Sequence, residues 1–195
     1  MVRLDSQQPI WDHFFLVAPL VVIGTRELEG GYDLAPKHMA MPIGWDNYFG
    51  FVCTPRHHTY QNICREKVFT VSFPHPDQVV LASLSATPRC DDGETKPALS
   101  ALPTVPATTI DGVFLRDAYL DLECELEQIV DGFGQNSLIV GKIIAAQVQE
   151  QAQRVSDRDD QDVLGQAPLL AYLSPGYYTQ IDQGAAFPFH VGFKR

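Results

Sequence analysis

The sequence predicts a mainly β protein, a mostly antiparallel barrel with one or two short helices, and three observations carry that prediction. Short runs rich in β-branched and aromatic residues recur along the chain, each bounded by Gly or Pro. Leu120 to Glu127 alternates apolar and acidic residues strictly over eight positions, the period of a strand with one wet face. Nowhere do strand patterns alternate with long helical ones, as a parallel sheet would require. Summed, about six or seven strands are expected, enough to curl into a barrel.

In chain order, Leu16 to Thr25 is interrupted by Pro19 and ends in Leu20-Val21-Val22-Ile23, a buried strand. Gly30-Gly31 supplies a turn. Ala35 to Pro42 is extended because its two prolines forbid a helix, and Tyr48 to Cys53 is an aromatic strand. Thr59 to Lys67 is a short helix with a hydroxyl residue as N-cap and a lysine at its end. Val68 to Phe73 is a strand stopped by Pro74, and Asp77 to Ala86 is a second helix capped by Asp77. From Pro88 to Thr109 prolines, glycine and small residues predict a long irregular excursion, a kind of segment that tends to carry function. Asn136 to Val148 is a strand joined to the alternating one by a hairpin at Asp131-Gly132-Phe133-Gly134. Gln149 to Gln166 is a polar loop or short exposed helix. Leu169 to Leu173, the Ser174-Pro175-Gly176 turn and Tyr177 to Ile181 close the fold. With 195 residues, 45% of them apolar, and no internal repeat, residues 1–195 read as a single domain.

The net charge of −10 opposes binding to nucleic acid or to an anionic bilayer. No run approaches transmembrane length and the first residues lack a signal-peptide core, so a cytoplasmic protein is expected. Cys53, Cys64, Cys90 and Cys124 have no zinc-knuckle or dithiol spacing and read as reduced, mostly buried thiols. The acidity is uneven: Asp111 to Asp162 holds twelve acidic residues against four basic ones, whereas Gly31 to Asn62 holds two of each and three of the six histidines. An anionic ligand is repelled least in the second stretch.

That stretch also holds the candidate chemistry. Arg56 and Thr59 stand just before a helix start, where unpaired N–H groups and a partial positive charge favour a phosphate. Arg56 offers a bidentate donor set, and Thr59 and Asn62 add a hydroxyl and an amide. Lys37 and His38, with Met39 beside them, lie on an extended segment whose backbone amides suit the edge of a flat heterocycle. Plain structural roles are open to each of them: a solvated arginine, an edge lysine, a histidine satisfied within the fold. His38, His57 and His58 do not make a metal site, since adjacent residues of an extended chain point to opposite faces and no carboxylate or thiol stands at ligand spacing. No nucleophile elbow, P-loop or Gly-x-Gly-x-x-Gly is present, and no catalytic acid or base stands out.

The order of several motifs resembles the flavin reductase-like domain family. They are Pro19-Leu-Val-Val-Ile-Gly-Thr, Tyr32-Asp-Leu-Ala-Pro-Lys-His-Met, Phe51-Val-Cys-Thr-Pro-Arg-His-His-Thr-Tyr-Gln-Asn-Ile and Phe69-Thr-Val-Ser-Phe-Pro. Thr95-Lys96-Pro97-Ala98-Leu99, Asp121-Leu-Glu-Cys, Val140-Gly-Lys-Ile and Gly176-Tyr177 continue the likeness over nearly the whole chain. The resemblance implies an antiparallel, Greek-key-like split barrel that dimerises and binds FMN without a covalent link. It implies contacts to the cofactor from Asp33, Lys37, His38, Met39, Arg56, His57, Thr59, Asn62 and Lys96, with the phosphate between Asp33 and Asn62. Asp33 stands where the family often has Asn, and His38 where it often has a small hydroxyl residue; Thr95 and Pro97 also depart from the usual pattern.

The implied activity is hydride transfer from NADH or NADPH to the flavin, with electrons passing on to a small-molecule or protein acceptor. His190, flanked by Phe189, is a candidate for nicotinamide contact beside the plainer reading of a core aromatic position. Two alternatives stand: an FMN-binding electron carrier or redox sensor without a nicotinamide site, and a related barrel that binds another planar ligand such as haem.

Overall fold

The alternating segment becomes the longest strand of the molecule. The computed structural model describes residues 1–90 and 96–192, and in it β9 (Leu120–Phe133) pairs antiparallel with β10 (Asn136–Val148) across the expected hairpin. On its other side β9 pairs with β6 (Val68–Phe73). Adding β2 (Val21–Arg26), β3 (Tyr32–Lys37), β4 (Ala40–Pro42) and β5 (Tyr48–Cys53) gives a seven-stranded sheet in the order β3-β2-β6-β9-β10-β5-β4. Every pairing in it is antiparallel.

The two edge strands of that sheet are consecutive in sequence, with only His38 and Met39 between them. Laid flat, seven strands would put the edges about 29 Å apart, at the usual 4.8 Å per strand. Three Cα steps reach about 11 Å at most. The sheet therefore curls until its edges meet at the 38–39 bend, and the inside of that curl is the core: Val21, Ile23, Phe49, Phe51, Ile63, Phe69, Val71, Cys124 and Ile139. The fold is mainly β, a curled half-barrel with few helices.

Two further sheets were not separated by the sequence reading. The stretch from Leu16 is two strands: β1 (Leu16–Pro19) leaves the barrel at Pro19 and pairs with β11 (Leu169–Ser174), which pairs in turn with β12 (Tyr177–Ile181). Proline lacks the N–H that a continuous central strand would need, so the break falls there. The excursion after Pro88 also contains structure, a hairpin arm of β7 (Thr104–Pro106) and β8 (Val113–Leu115). Twelve strands are thus present among the described residues.

Helix boundaries shift for physical reasons. Helix α1 runs His58–Glu66 with His57 at the cap position, so Thr59 is inside the helix rather than capping it. Lys67 ends it in a left-handed conformation, φ 63°, with its N–H on the Ile63 carbonyl at 2.9 Å. The second helix is a 3-10 turn, Pro76–Gln78, followed by α2 (Val79–Leu84). Asp77 does not cap it; the Gln78 side chain instead accepts from the His75 N–H at 3.0 Å. The polar stretch after β10 holds α3 (Asp160–Gln166), capped by Asp159. Among the described residues no helix is long and apolar enough to cross a membrane.

The wet face expected for β9 is covered over its first half. Glu123 is buried and its carboxylate accepts from the N–H groups of Thr108, Thr109 and Ile110 and from the Thr108 hydroxyl, at 2.7–3.0 Å. Thr70 donates to the Val113 carbonyl at 2.6 Å, and Ser72 accepts from the Leu115 N–H at 3.0 Å. Polar side chains of the sheet thus hold the β7–β8 arm where a strand ladder is absent. Gly24 is required beneath it, because a Cβ there would stand 2.6 Å from the Val113 carbonyl oxygen and 2.3 Å from the Thr70 hydroxyl. The arm closes a second apolar cluster of Val22, Leu34, Ala82, Leu102, Val113 and Leu115. That cluster buries the outer side of β2, as its unbroken apolar run implies.

Asp121 shares this covered face, and its Oδ1 is buried without a hydrogen-bond partner. Burial pushes its carboxyl up to about 7, with the Ser72 hydroxyl opposing. The folded chain therefore binds a proton there that the unfolded chain has released between about pH 4 and 7, so the native state loses stability as pH rises through that window. Asp121→Asn removes this loss: thermal melts will place the variant a few degrees above the parent at pH 8, with the difference vanishing near pH 4.

Candidate functional site

Strand β3 carries Asp33, Ala35 and Lys37 at alternate positions, and these, the start of α1, residues 85–89 and Lys96 face a common space. Between them lies a cavity of about 350 Å³ lined by Asp33, Lys37, Arg56, His57, Thr59, Arg89 and Lys96, among others. Residues far apart in sequence meet here because the curl brings the β3 edge against α1.

The inner wall is a cluster of charges. Asp33 is almost fully buried; its Oδ1 lies 3.2 Å from the Lys96 ammonium and 3.4 Å from the Arg89 guanidinium. Its Oδ2 accepts from the Thr59 hydroxyl at 3.3 Å. Lys96 also donates to the carbonyls of Leu34, at 2.8 Å, and Ser85, at 2.6 Å. Arg89 is ion-paired with Glu27, whose other oxygen lies 3.3 Å from His58 Nδ1. Burial pushes the Glu27 carboxyl up, but His58 and Arg89 outweigh it and hold it below its ordinary value.

The outer wall differs. Among the described residues no side chain pairs with the Arg56 guanidinium or the Lys37 ammonium. His57 lines the cavity with them, and burial, then Lys37 and Arg56, lower its pKa, with Asp33 opposing. At neutral pH His57 is therefore uncharged.

Two more cavities adjoin. One of about 190 Å³ is lined by Lys37, His38, Met39, Cys53, Thr54, His57 and Asn136. His38 and Met39 form the bend between β3 and β4, outside both ladders, although the Met39 carbonyl accepts from the Val52 N–H at 2.9 Å. The other, about 510 Å³, shares Pro36 and Ala86 with the charged cavity. Its lining contains no acidic or basic side chain other than His38, which stacks on Tyr172 with ring centroids 4.4 Å apart. Burial, then Lys37, lowers the His38 pKa.

The sequence-predicted residues divide accordingly. Asp33, Lys37, Arg56, His57, Thr59 and Lys96 come together at the charged cavity, and His38 and Met39 lie beside it. Asn62 does not reach it: the side-chain amide donates to the Thr25 hydroxyl at 3.1 Å and its oxygen accepts from Arg65 at 3.0 Å. Thr59 and Lys96 line the cavity, but their donors are turned to Asp33 and to backbone carbonyls. Thr95 lies outside the described residues. His190 is exposed near the chain end and is not a core position.

Of the thiols, Cys53 and Cys124 are buried, Cys64 is half-buried and Cys90 is exposed; burial raises Cys53 and lifts Cys124 to about 12, which leaves both unreactive. Glu27, Arg89, Ser85 and Tyr172 were not foreseen. Arg89 alone had a signal, its place at the start of the Pro88 excursion.

Comparison with known proteins agrees with this architecture. The flavin reductase like domain model matches residues 14–178. Comparison with curated proteins gives no match. Among solved structures, nitrilotriacetate monooxygenase component B from Bacillus cereus superposes with a TM-score of 0.79 at 15% identity, covering 96% of this chain and 98% of that one. Flavoredoxin from Methanosarcina acetivorans gives 0.76 at 18% identity over 98% and 97% of the two chains. The FMN-binding protein from Thermus thermophilus with bound 1-cyclohex-2-enone gives 0.76 at 22%, over 95% and 98%. The structures share the fold, and the match over most of the sequence shows that the chain belongs to the flavin reductase-like domain family.

Proposed function

We propose that the chain is an FMN-dependent oxidoreductase that binds FMN without a covalent link, takes a hydride from NADH or NADPH and passes electrons to a small-molecule or protein acceptor. One observation carries the reading: a cavity with two cations, Arg56 and Lys37, that no side chain pairs among the described residues, adjoins at Pro36 and Ala86 one lined mostly by aromatic and apolar groups. A molecule with a phosphate at one end and a flat uncharged ring at the other matches that division. When bound, the flavin supplies the hydride and electron chemistry, and the protein supplies position and field.

Each residue then has a defined task. Arg56 presents a planar fork to the phosphate and Lys37 a point charge. The first N–H groups of α1 add donors with the dipole in the favourable sense. His38 and Met39 hold the ring edge at the bend. His38 and His57 stay uncharged at neutral pH, so they add no cation beside the ring.

Removing the fork tests the phosphate assignment: Arg56→Ala will weaken FMN binding about tenfold or more while leaving riboflavin binding nearly unchanged, measured by flavin fluorescence quenching. Equal losses for both flavins remove Arg56 from the phosphate shell. Activity is read by anaerobic titration of the flavin-loaded protein, in which NADH or NADPH is expected to bleach the flavin absorbance. A bound flavin that neither nucleotide reduces makes the protein an electron carrier, in line with the flavoredoxin likeness.

A homodimer belongs to the same proposal. Phe15, Val17, Tyr177 and Tyr178 are more than half exposed on or beside β1 and β12, apolar exposure that a subunit contact would cover. Sedimentation equilibrium is expected to give twice the chain mass of 21.7 kDa; a monomer at micromolar concentration refutes it.

A further inference from the structure

Of the four cations that line the charged cavity, Lys37, Arg56, Arg89 and Lys96, two are already paired with carboxylates. The Lys96 side chain is 7% exposed, and its ammonium carries three N–H bonds. Three acceptors surround it: Asp33 Oδ1 at 3.2 Å, the Leu34 carbonyl at 2.8 Å and the Ser85 carbonyl at 2.6 Å. The single hydroxyl proton of Thr59 goes to Asp33 Oδ2 at 3.3 Å. Arg89 meets Asp33 at 3.4 Å and is paired with Glu27. Both inner-wall cations thus already face a carboxylate, while the outer-wall cations Lys37 and Arg56 face none among the described residues.

We propose that Asp33, assisted by Glu27, sets the affinity of this site for a phosphate: its carboxylate is a resident counter-anion that competes with the incoming phosphate for Lys96, Arg89 and Thr59. The proposal rests on the flavin reading given above and adds what that reading leaves open, namely how tightly the nucleotide is held. With the inner wall neutralised, Arg56, Lys37 and the α1 amides hold the phosphate by themselves. FMN then exchanges with solution, as a substrate does, instead of staying as a prosthetic group.

The physical basis is Coulombic. Two unit negative charges about 5 Å apart near a protein surface repel enough to lower affinity roughly a hundredfold, and salt and solvent reduce this to about tenfold. The arrangement is self-consistent, because the same carboxylate keeps the Lys96 ammonium compensated in a place where an unpaired charge would destabilise the fold. Asp33→Asn retains an oxygen that can accept from Lys96 while removing the charge that opposes the phosphate.

The test compares FMN with riboflavin, which differ only in the phosphate, on the full chain and on Asp33→Asn and Glu27→Gln. Asp33→Asn is expected to tighten FMN binding about tenfold, and Glu27→Gln to do so by less, with riboflavin affinity kept within about twofold. The FMN-to-riboflavin ratio is a readout that general loosening of the fold does not raise. Retention of FMN through gel filtration is expected to rise in parallel. An unchanged or lowered ratio in both variants overturns the proposal and leaves the flavin reading standing. If the parent chain binds neither flavin, both fall together. Should Asp33→Asn fail to fold, Glu27→Gln decides, because its side chain lies farther out, 18% exposed against 5% for Asp33.

Discussion

One buried contact organises this molecule's candidate site: the Lys96 ammonium against the Asp33 carboxylate, both almost inaccessible to water. An ion taken out of water is costly unless its partners are well placed, and these are. Lys96 also grips the carbonyls of Leu34 and Ser85, so the same group ties the excursion after α2 to the β3 edge. Without that tie the cavity would lack its third wall. The stabilising and the ligand-facing roles of the cluster are therefore not separable, which is why its donors cannot simply be counted as ligand contacts.

The cluster exists only because the sheet curls. A two-residue bend between β3 and β4 forces the edges of a seven-stranded sheet together, and the closure presents the alternate residues of β3 to the first turn of α1. Arg56 and His57 precede that turn, and Thr59 is in it. Topology thus converts two separate motifs into one concave surface. The uncharged cavity across Pro36 and Ala86 follows from the other parts of the fold, α2 and the β11–β12 hairpin, which contribute apolar and aromatic groups but no formal charge.

Polar groups also hold the outside of the barrel. Glu123, Thr70 and Ser72 would be solvent-facing on an isolated sheet, yet each bonds the backbone of the β7–β8 arm. A carboxylate that satisfies three backbone amides behaves as structure, and its period-2 pattern in the sequence is the same as that of a wet face. Asp121 on the same face is left with an unpartnered oxygen, so among the described residues covering the sheet is incompletely compensated there.

What the sequence determined by itself was local. The strand runs, the hairpin after β9, the short helix ahead of β6, the turn at Ser174 to Gly176 and the neighbourhood of Lys37, Arg56 and Thr59 were all legible. Each is set by side-chain branching, by proline or glycine, or by alternation within a few residues. Tertiary structure decided everything that depends on which donor meets which acceptor. It gave Asn62 to Thr25 and Arg65, Thr59 and Lys96 to Asp33, and Arg89 to Glu27, and it turned an acidic face inward under the arm. A hydrogen-bonding group has the same identity in the sequence whether its partner is a ligand, water or another part of the chain; the long-range closure of the sheet makes that choice.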